Sequence, residues 1–333
     1  MRRHHQRMGG FSLIELMIGM LLGLIVTAAA IGIFTSNSNT QRATESLGRI
    51  QENARVAFEL MARDVREGAG NICSRNLPLA NVLGNAGAVW WSSGPAIQGF
   101  DGGQAFPDAG FGAGAGQRIN GTDAIQLVST SGSGFTVASH NPAPSTAQFT
   151  LNTAAHGLVA GDILIACDTR QVSIFQMSSA AVTHTEAGGT PGNCTTGLGF
   201  TDPIDCSGVG QQYQFGANAQ VARLRAVRWY IANNGRGGRS LYQAALRNGT
   251  GTPGVTVEEV AEGVTDVQFE YLPVDAAAYV AATAVTDWAQ VAGVRITVTL
   301  RGGQGAINEN VGTDGATLQR QFSHVVTLRN RLP

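Results

Sequence analysis

The chain contains no lysine: all 22 of its basic residues are arginine, a compositional bias from which no mechanism follows. Proline is missing before Pro78, so any kink in an early helix must come from glycine. Only four cysteines occur among 333 residues, Cys73, Cys167, Cys194 and Cys206. None forms a C-x-x-C pair, and the histidines at 140, 156, 184 and 324 are scattered, which argues against a zinc site. There is no G-x-S-x-G, H-E-x-x-H, phosphate-loop or paired-carboxylate motif. Nothing points to an enzyme, and no cofactor or metal is expected.

What is present is concentrated at the start. The segment MRRHHQRMGG carries Arg2, Arg3 and Arg7 and no acid, and from Leu16 to Phe34 no residue is charged. At about 1.5 Å per residue that apolar run covers nearly 30 Å, enough to span a bilayer. Positive charge stays on the cytoplasmic side, so the chain is expected to run N-in, C-out. Glu15 sits at the head of this run. A carboxylate at the centre of a membrane costs about 3 kcal/mol or more, which makes it a functional candidate by default. A secretory signal places its small-residue cleavage site after the apolar region. Here the small pair, Gly9-Gly10, comes before it. Cutting after Gly10 removes the basic leader and leaves Phe11 as a new N-terminus with the span attached. A plain membrane anchor, with Glu15 reaching the interface, is the alternative reading. Without the three leader arginines the chain has 19 basic and 23 acidic residues, a net charge of −4, which argues against a general polyanion binder.

After the polar stretch TSNSNTQ, apolar residues recur at helical spacing: Ala43, Leu47, Ile50, Ala54, Phe58, Met61 and Val65. Charged residues fill the opposite face, and Gly68 and Gly70 supply stops. One helix over about 12–67 is predicted, its second half laying a stripe on a globular domain; two alanines in the seam argue against an independent coiled coil. The expected organisation is a leader at 1–10, a membrane or fibre-core helix at 11–34, an amphipathic continuation at 35–70 and a β-rich domain at 71–333. Strands are predicted at 124–129, 135–139, 148–151, 162–167, 172–177, 221–232, 240–246, 255–260, 264–272, 291–300 and 322–328, with 71–121 and 178–219 read as loop. Strands behind a single long helix give an α+β class with a mainly antiparallel sheet.

In an N-in, C-out chain all four cysteines face an oxidising compartment, which favours disulfides. Of three connectivities, Cys194–Cys206 across a short loop with Cys73–Cys167 is preferred. Two loops invite a site and are discounted. GFGAGAG (110–116) lacks phosphate-loop spacing, and GQGAINENVGTDG (303–315) has oxygen donors but no EF-hand pattern. Arg223 and Arg225 share a strand face near Trp229 and Tyr230 and could contact a single-stranded nucleic acid. Nearby Glu258, Glu259, Glu262 and Asp266 favour an ion-paired face, so nucleic acid is not an expected partner. Trp90, Trp91 and Trp288 are read as packing residues in preference to a partner-binding patch.

The order basic leader, Gly10, F-S-L-I-E-L-M-I resembles the type III signal of type IV prepilins. The blocks GTDAIQL, AGDILIACD, VSIFQMS, GVTDVQFEYLP, VTDWAQVAGVRITVTL and RQFSHVVTLRNRLP are similar to the PilW family of minor pilins. The resemblance implies a pilin-like fold, cleavage between Gly10 and Phe11 by prepilin peptidase, and N-methylation of Phe11. It further implies that Glu15 pairs with the terminal amine of a neighbouring subunit. Expected partners are other minor pilins, the major pilin and the inner-membrane assembly platform. The expected path runs from the inner membrane, with the C-terminal domain in the periplasm, to the fibre or its tip at the cell surface. Expected roles are priming of pilus assembly, twitching motility and adhesion. A minor pseudopilin of type II secretion, or a tip adhesin or DNA-uptake receptor, is the alternative.

Overall fold

A computed structural model describes residues 12–68, 77–92, 94–186, 190–249, 252–302 and 317–328. Helix α1 (Leu13–Glu67) is continuous over 55 residues. Its two halves meet different surroundings, as the composition demands. The large apolar side chains between Leu13 and Phe34 are all exposed, whereas Ile50, Ala54, Ala57, Phe58, Met61, Ala62 and Val65 are buried. Ala43 and Leu47, at the start of the predicted stripe, are half-buried. The helix ends at Gly68, whose φ of −59° needs no glycine. Its lack of a side chain is needed instead, because a Cβ there would lie 2.9 Å from Leu127 Cδ2.

Behind the helix lie, among the described residues, thirteen strands in two sheets. The larger sheet runs β1 (Leu79–Asn81), β6 (Val172–Gln176), β5 (Ile163–Cys167), β8 (Gln220–Asn233), β3 (Ala124–Asn141), β4 (Ala147–Leu151) and β7 (Thr183–His184). Strand β2 (Ile97–Phe100) adds to β3, β9 (Arg239–Arg247) adds to β8, and β10 (Gly254–Glu262) adds to β9. The smaller sheet is β11 (Val264–Pro273), β12 (Val291–Arg301) and β13 (Gln319–Thr327). Every strand pair is antiparallel except β1 with β6. The architecture is therefore α+β and pilin-like, one long helix on a mainly antiparallel sheet domain.

The chain passes from the larger to the smaller sheet at Gly263, between β10 and β11. With φ +80° and a hypothetical Cβ 3.0 Å from the Arg301 carbonyl oxygen, that position requires glycine on both counts. The second half of α1 packs into the core formed where the two sheets meet, beside Trp229, Phe269, Tyr271 and Ile296. Tyr271 is fully buried and lies against bare backbone: a Cβ on Gly99 of β2 would sit 2.1 Å from its hydroxyl oxygen. Gly99→Ala is expected to cost about 3 kcal/mol, the upper end for overpacking. Urea unfolding checks this, and a loss below about 1 kcal/mol would show that Tyr271 can move aside.

Three strands escape the sequence reading. β1, β2 and β7 have only three, four and two residues, too few for alternation to show within segments read as loop. The predicted strands at 124–129 and 135–139 are one strand, β3. It continues through Ser-Gly-Ser-Gly with a shift of register against β8 between Ser131 and Phe135, where Gly132 and Gly134 take positive φ. Trp91 is buried, Trp90 packs beside it, and Trp288 meets Tyr271 edge-on at 4.9 Å between ring centres.

Candidate functional site

Gly10 and Phe11 lie outside the described residues; the segment they introduce does not. The Glu15 carboxylate accepts a hydrogen bond from the Ser12 backbone N–H at 3.0 Å, one turn before it. It thus serves the unsatisfied donors at the start of α1, where the helix dipole also favours negative charge. Beyond it, the polar groups within the apolar run are satisfied locally. The Thr27 hydroxyl donates to the Gly23 carbonyl at 2.6 Å and the Thr35 hydroxyl to the Ile31 carbonyl at 3.0 Å. A segment in hydrocarbon must close its hydrogen bonds in this way. This helix is long and apolar enough to cross a membrane.

The other end of α1 is fixed by a residue that the sequence reading passed over. Asp64 is 4% exposed and points into the domain. Its carboxylate accepts from Arg225 Nη2 at 2.7 Å, Trp229 Nε1 at 3.0 Å and Gln243 Nε2 at 2.9 Å, joining the helix to β8 and β9. A signal was there to read: Ile50, Ala57 and Asp64 follow one another at seven-residue steps, so the acid occupies a slot of the buried stripe.

The proposed nucleic-acid arginines are engaged inside the fold. Arg225 is held by Asp64, and Arg223 donates to Asp162 at 2.7 Å and to the Gly157 carbonyl. Arg228, on the opposite face, makes a two-pronged contact with Asp108 at 2.7 and 3.0 Å. Its guanidinium lies between the rings of Trp90 and Phe106 at 4.3 and 4.2 Å. Burial lowers its pKa, against the pull of Asp108. Arg236 pairs with Glu259 and Glu262. The arginines of β8 are thus ion-paired with Asp162, Asp64 and Asp108, while of the acids named from the sequence Glu259 and Glu262 pair with Arg236 instead.

Cys194 and Cys206 form a disulfide across a separation of 12 residues, and Cys167 is also disulfide-bonded and wholly buried. Cys73 lies outside the described residues, as do the oxygen donors at 308–310 and 314 considered for calcium. Among the described residues no three His, Cys, Asp or Glu side chains gather as a metal site.

One buried pair was not foreseen. His140 on β3 and His184 on β7 face each other with their Nε2 atoms 3.1 Å apart, and His140 stacks on Phe149 at 4.0 Å. His140 Nδ1 accepts from the Phe215 N–H, so in the neutral pair its proton is on Nε2, donated to His184. Burial pushes His140 down to about 4 and, with the repulsion of His140 added, His184 down to about 3. Because both folded values lie below the ordinary 6.5, the unfolded chain binds more protons and stability falls as pH drops below 6.5. Asp123 acts oppositely: burial raises it from 3.8 to about 6, which adds stability on acidification through that window. A His140→Gln/His184→Gln variant should therefore lose less melting temperature between pH 7 and 4 than the wild type. Parallel curves would mean that the pair is not neutral in the fold.

Two family models match the chain. Residues 228–330 match the family described as type IV pilus-assembly protein W, PilW, and residues 6–31 match the prokaryotic N-terminal methylation motif. No curated protein and no solved structure matches it. The C-terminal match takes in β9 to β13 and the end of β8, about a third of the chain, and the N-terminal match runs from Gln6 through most of the apolar run. The chain is thus prepilin-like, with a region similar to a pilus-assembly family.

Proposed function

We propose that this chain is a minor pilin of a type IV pilus. It is made as a prepilin, cut between Gly10 and Phe11, methylated on Phe11 and held in the inner membrane by residues 11–34. From there it enters the fibre through α1 and, with other minor pilins, primes assembly. Glu15 supplies the charge that meets the terminal amine of a neighbouring subunit. Prepilin peptidase, the assembly platform and the major pilin are its partners on this reading, and twitching motility and adhesion follow from it.

The observation that carries the reading is the uncovered half of α1. Some 20 apolar residues project from the domain behind a basic leader and a single acid, while one face of the same helix, from Ile50 to Val65, is buried in the core. The work is association, and the arginines of β8 are held in ion pairs within the domain.

A pseudopilin of type II secretion shares these features, so the test must separate the two systems. In a strain lacking the gene, sheared surface pili and secreted enzyme activity are scored side by side. N-terminal sequencing of the complementing protein should read FSLIEL. Pili lost with secretion intact supports the proposal; secretion lost with pili intact moves the chain to the pseudopilins. Pili normal but adhesion or DNA uptake lost would make the domain a receptor.

A further inference from the structure

Strand β13 is a long edge without a guard. Among the described residues it pairs with β12 alone, over nine residues, with no shift of register and with Arg320 as its single charge. The Leu328 N–H donates to the Ala292 carbonyl, so by alternation the even-numbered residues of β13 bond to β12 and the odd ones turn their N–H and C=O groups outward. Gln321, Ser323, Val325 and Thr327 thus present a row of backbone donors and acceptors, and the Val325 side chain is 56% exposed.

The other edges are protected by shortness, charge, bulges or cover. β1, β2 and β7 have three, four and two residues. β10 carries Glu258, Glu259 and Glu262 and a register shift between Glu259 and Ala261. β11 is covered, since Val267 accepts from the Asp123 N–H at 3.0 Å and Tyr271 and Val280 exchange two bonds of 2.8 Å.

Two occupants suit an open edge, a second copy or another chain, and the direction of β13 separates them. Gly302, bonded to Leu318, lies against Ser46, and the His324 ring packs on Phe58 with centres 4.3 Å apart. β13 therefore climbs along α1, away from the apolar end. Two copies held by one span each stand the same way up in the membrane. Antiparallel pairing of β13 with itself would invert one of them. Parallel pairing would turn one sheet over and join the core-facing side of one strand to the exposed side of the other.

We propose that β13 accepts an extended segment of a different protein as a fourth strand of the smaller sheet. Apolar side chains of that segment continue the row of Phe322 and Val326 over the core, and hydroxyl or amide side chains alternate with them beside Gln321, Ser323 and Thr327. A carboxylate at one end meets Arg320. The exclusion of a second copy rests on the reading of residues 11–34 as a span.

The test starts in a strain that carries the full chain with a photo-crosslinking residue at 321, 323 or 325 in turn. All three should capture one other protein, at points stepping by about two residues along a single segment. Points scattered over the partner, capture of a second copy, or no capture overturns the proposal. A synthetic peptide of the captured segment is then titrated onto the purified full chain in detergent. Val325→Pro removes an outward N–H and leaves the bonds to β12, so it should weaken binding about tenfold without moving the urea midpoint. Thr327→Pro, nearer the strand end, should do the same, and Val325→Thr, which keeps the N–H, should bind as the wild type does. Equal binding by the proline variants overturns strand addition. None of these readouts counts pili, so the proposal can fail while the minor-pilin reading stands, and it can hold if secretion tests move the chain to the pseudopilins.

Discussion

Asp64→Ala is expected to remove about 3–5 kcal/mol of stability, a large share of what a domain of this size has. The substitution deletes the only buried carboxylate on α1 and leaves three donors behind: a guanidinium, an indole N–H and an amide. Arg225 is a third exposed and can turn partly to water, but Trp229 is fully buried and its N–H has no other acceptor among the described residues. An unmade buried hydrogen bond costs more than a made one contributes, so the loss exceeds what three ordinary bonds supply. Asp64→Asn keeps one acceptor oxygen, enough for Trp229 and Gln243, which share one oxygen of the acid, but not also for Arg225, and should fall between. Urea unfolding followed by tryptophan emission measures both. A loss under about 1 kcal/mol for the alanine variant would mean that water replaces the carboxylate and that the helix is held by its apolar stripe alone.

Glu15→Ala acts at the other end of the same helix and on a different quantity. Within the domain nothing depends on Glu15, which lies far from the core and caps only its own first turn. The folded domain, the cleavage after Gly10 and the membrane span should all persist. What goes is the attraction between a carboxylate and a terminal amine in a poorly screened medium. Two unit charges 4 Å apart attract by about 4 kcal/mol at an effective dielectric constant of 20. Half of that, about 2 kcal/mol, changes an association constant about thirty-fold. The amount of this chain in sheared pili should drop by that order while the amount in the inner membrane rises. Glu15→Gln should do the same, since it keeps the shape without the charge. Wild-type incorporation of either variant would sink the assigned role and leave Glu15 as a helix cap.

The parts of the structure legible in the sequence are those governed by period. The apolar run, the stripe from Ile50 to Val65 and the strands from β8 to β12 repeat every 3.6 or 2 residues over enough length to be read. β1, β2 and β7 are set by neighbours far along the chain, such as Val172 beside Leu79, and no local period announces them. For the same reason the bond from Asp64 to Arg225 was invisible. In the sequence Arg225 is a basic residue on a strand face and Asp64 an acid within a helix, and only the fold brings these residues, 161 apart, together. Arg223 looked available for the same reason, because its partner Asp162 lies on a separate segment. The residues proposed for processing and assembly are picked out by spacing, since Gly10, Phe11 and Glu15 stand within a few positions of one another.

The unbroken run of α1 through its polar middle has a mechanical consequence. Residues 35–41 have the composition of a joint, yet the helix continues through them, with Thr40 bonded back to Ser36 and Thr44 to Thr40. Neither proline nor a lost turn provides a hinge between the buried stripe and the apolar end. A rod of this kind transmits force with little give: a pull applied near Glu15 arrives at Asp64, and through it at β8, as a displacement of the same size.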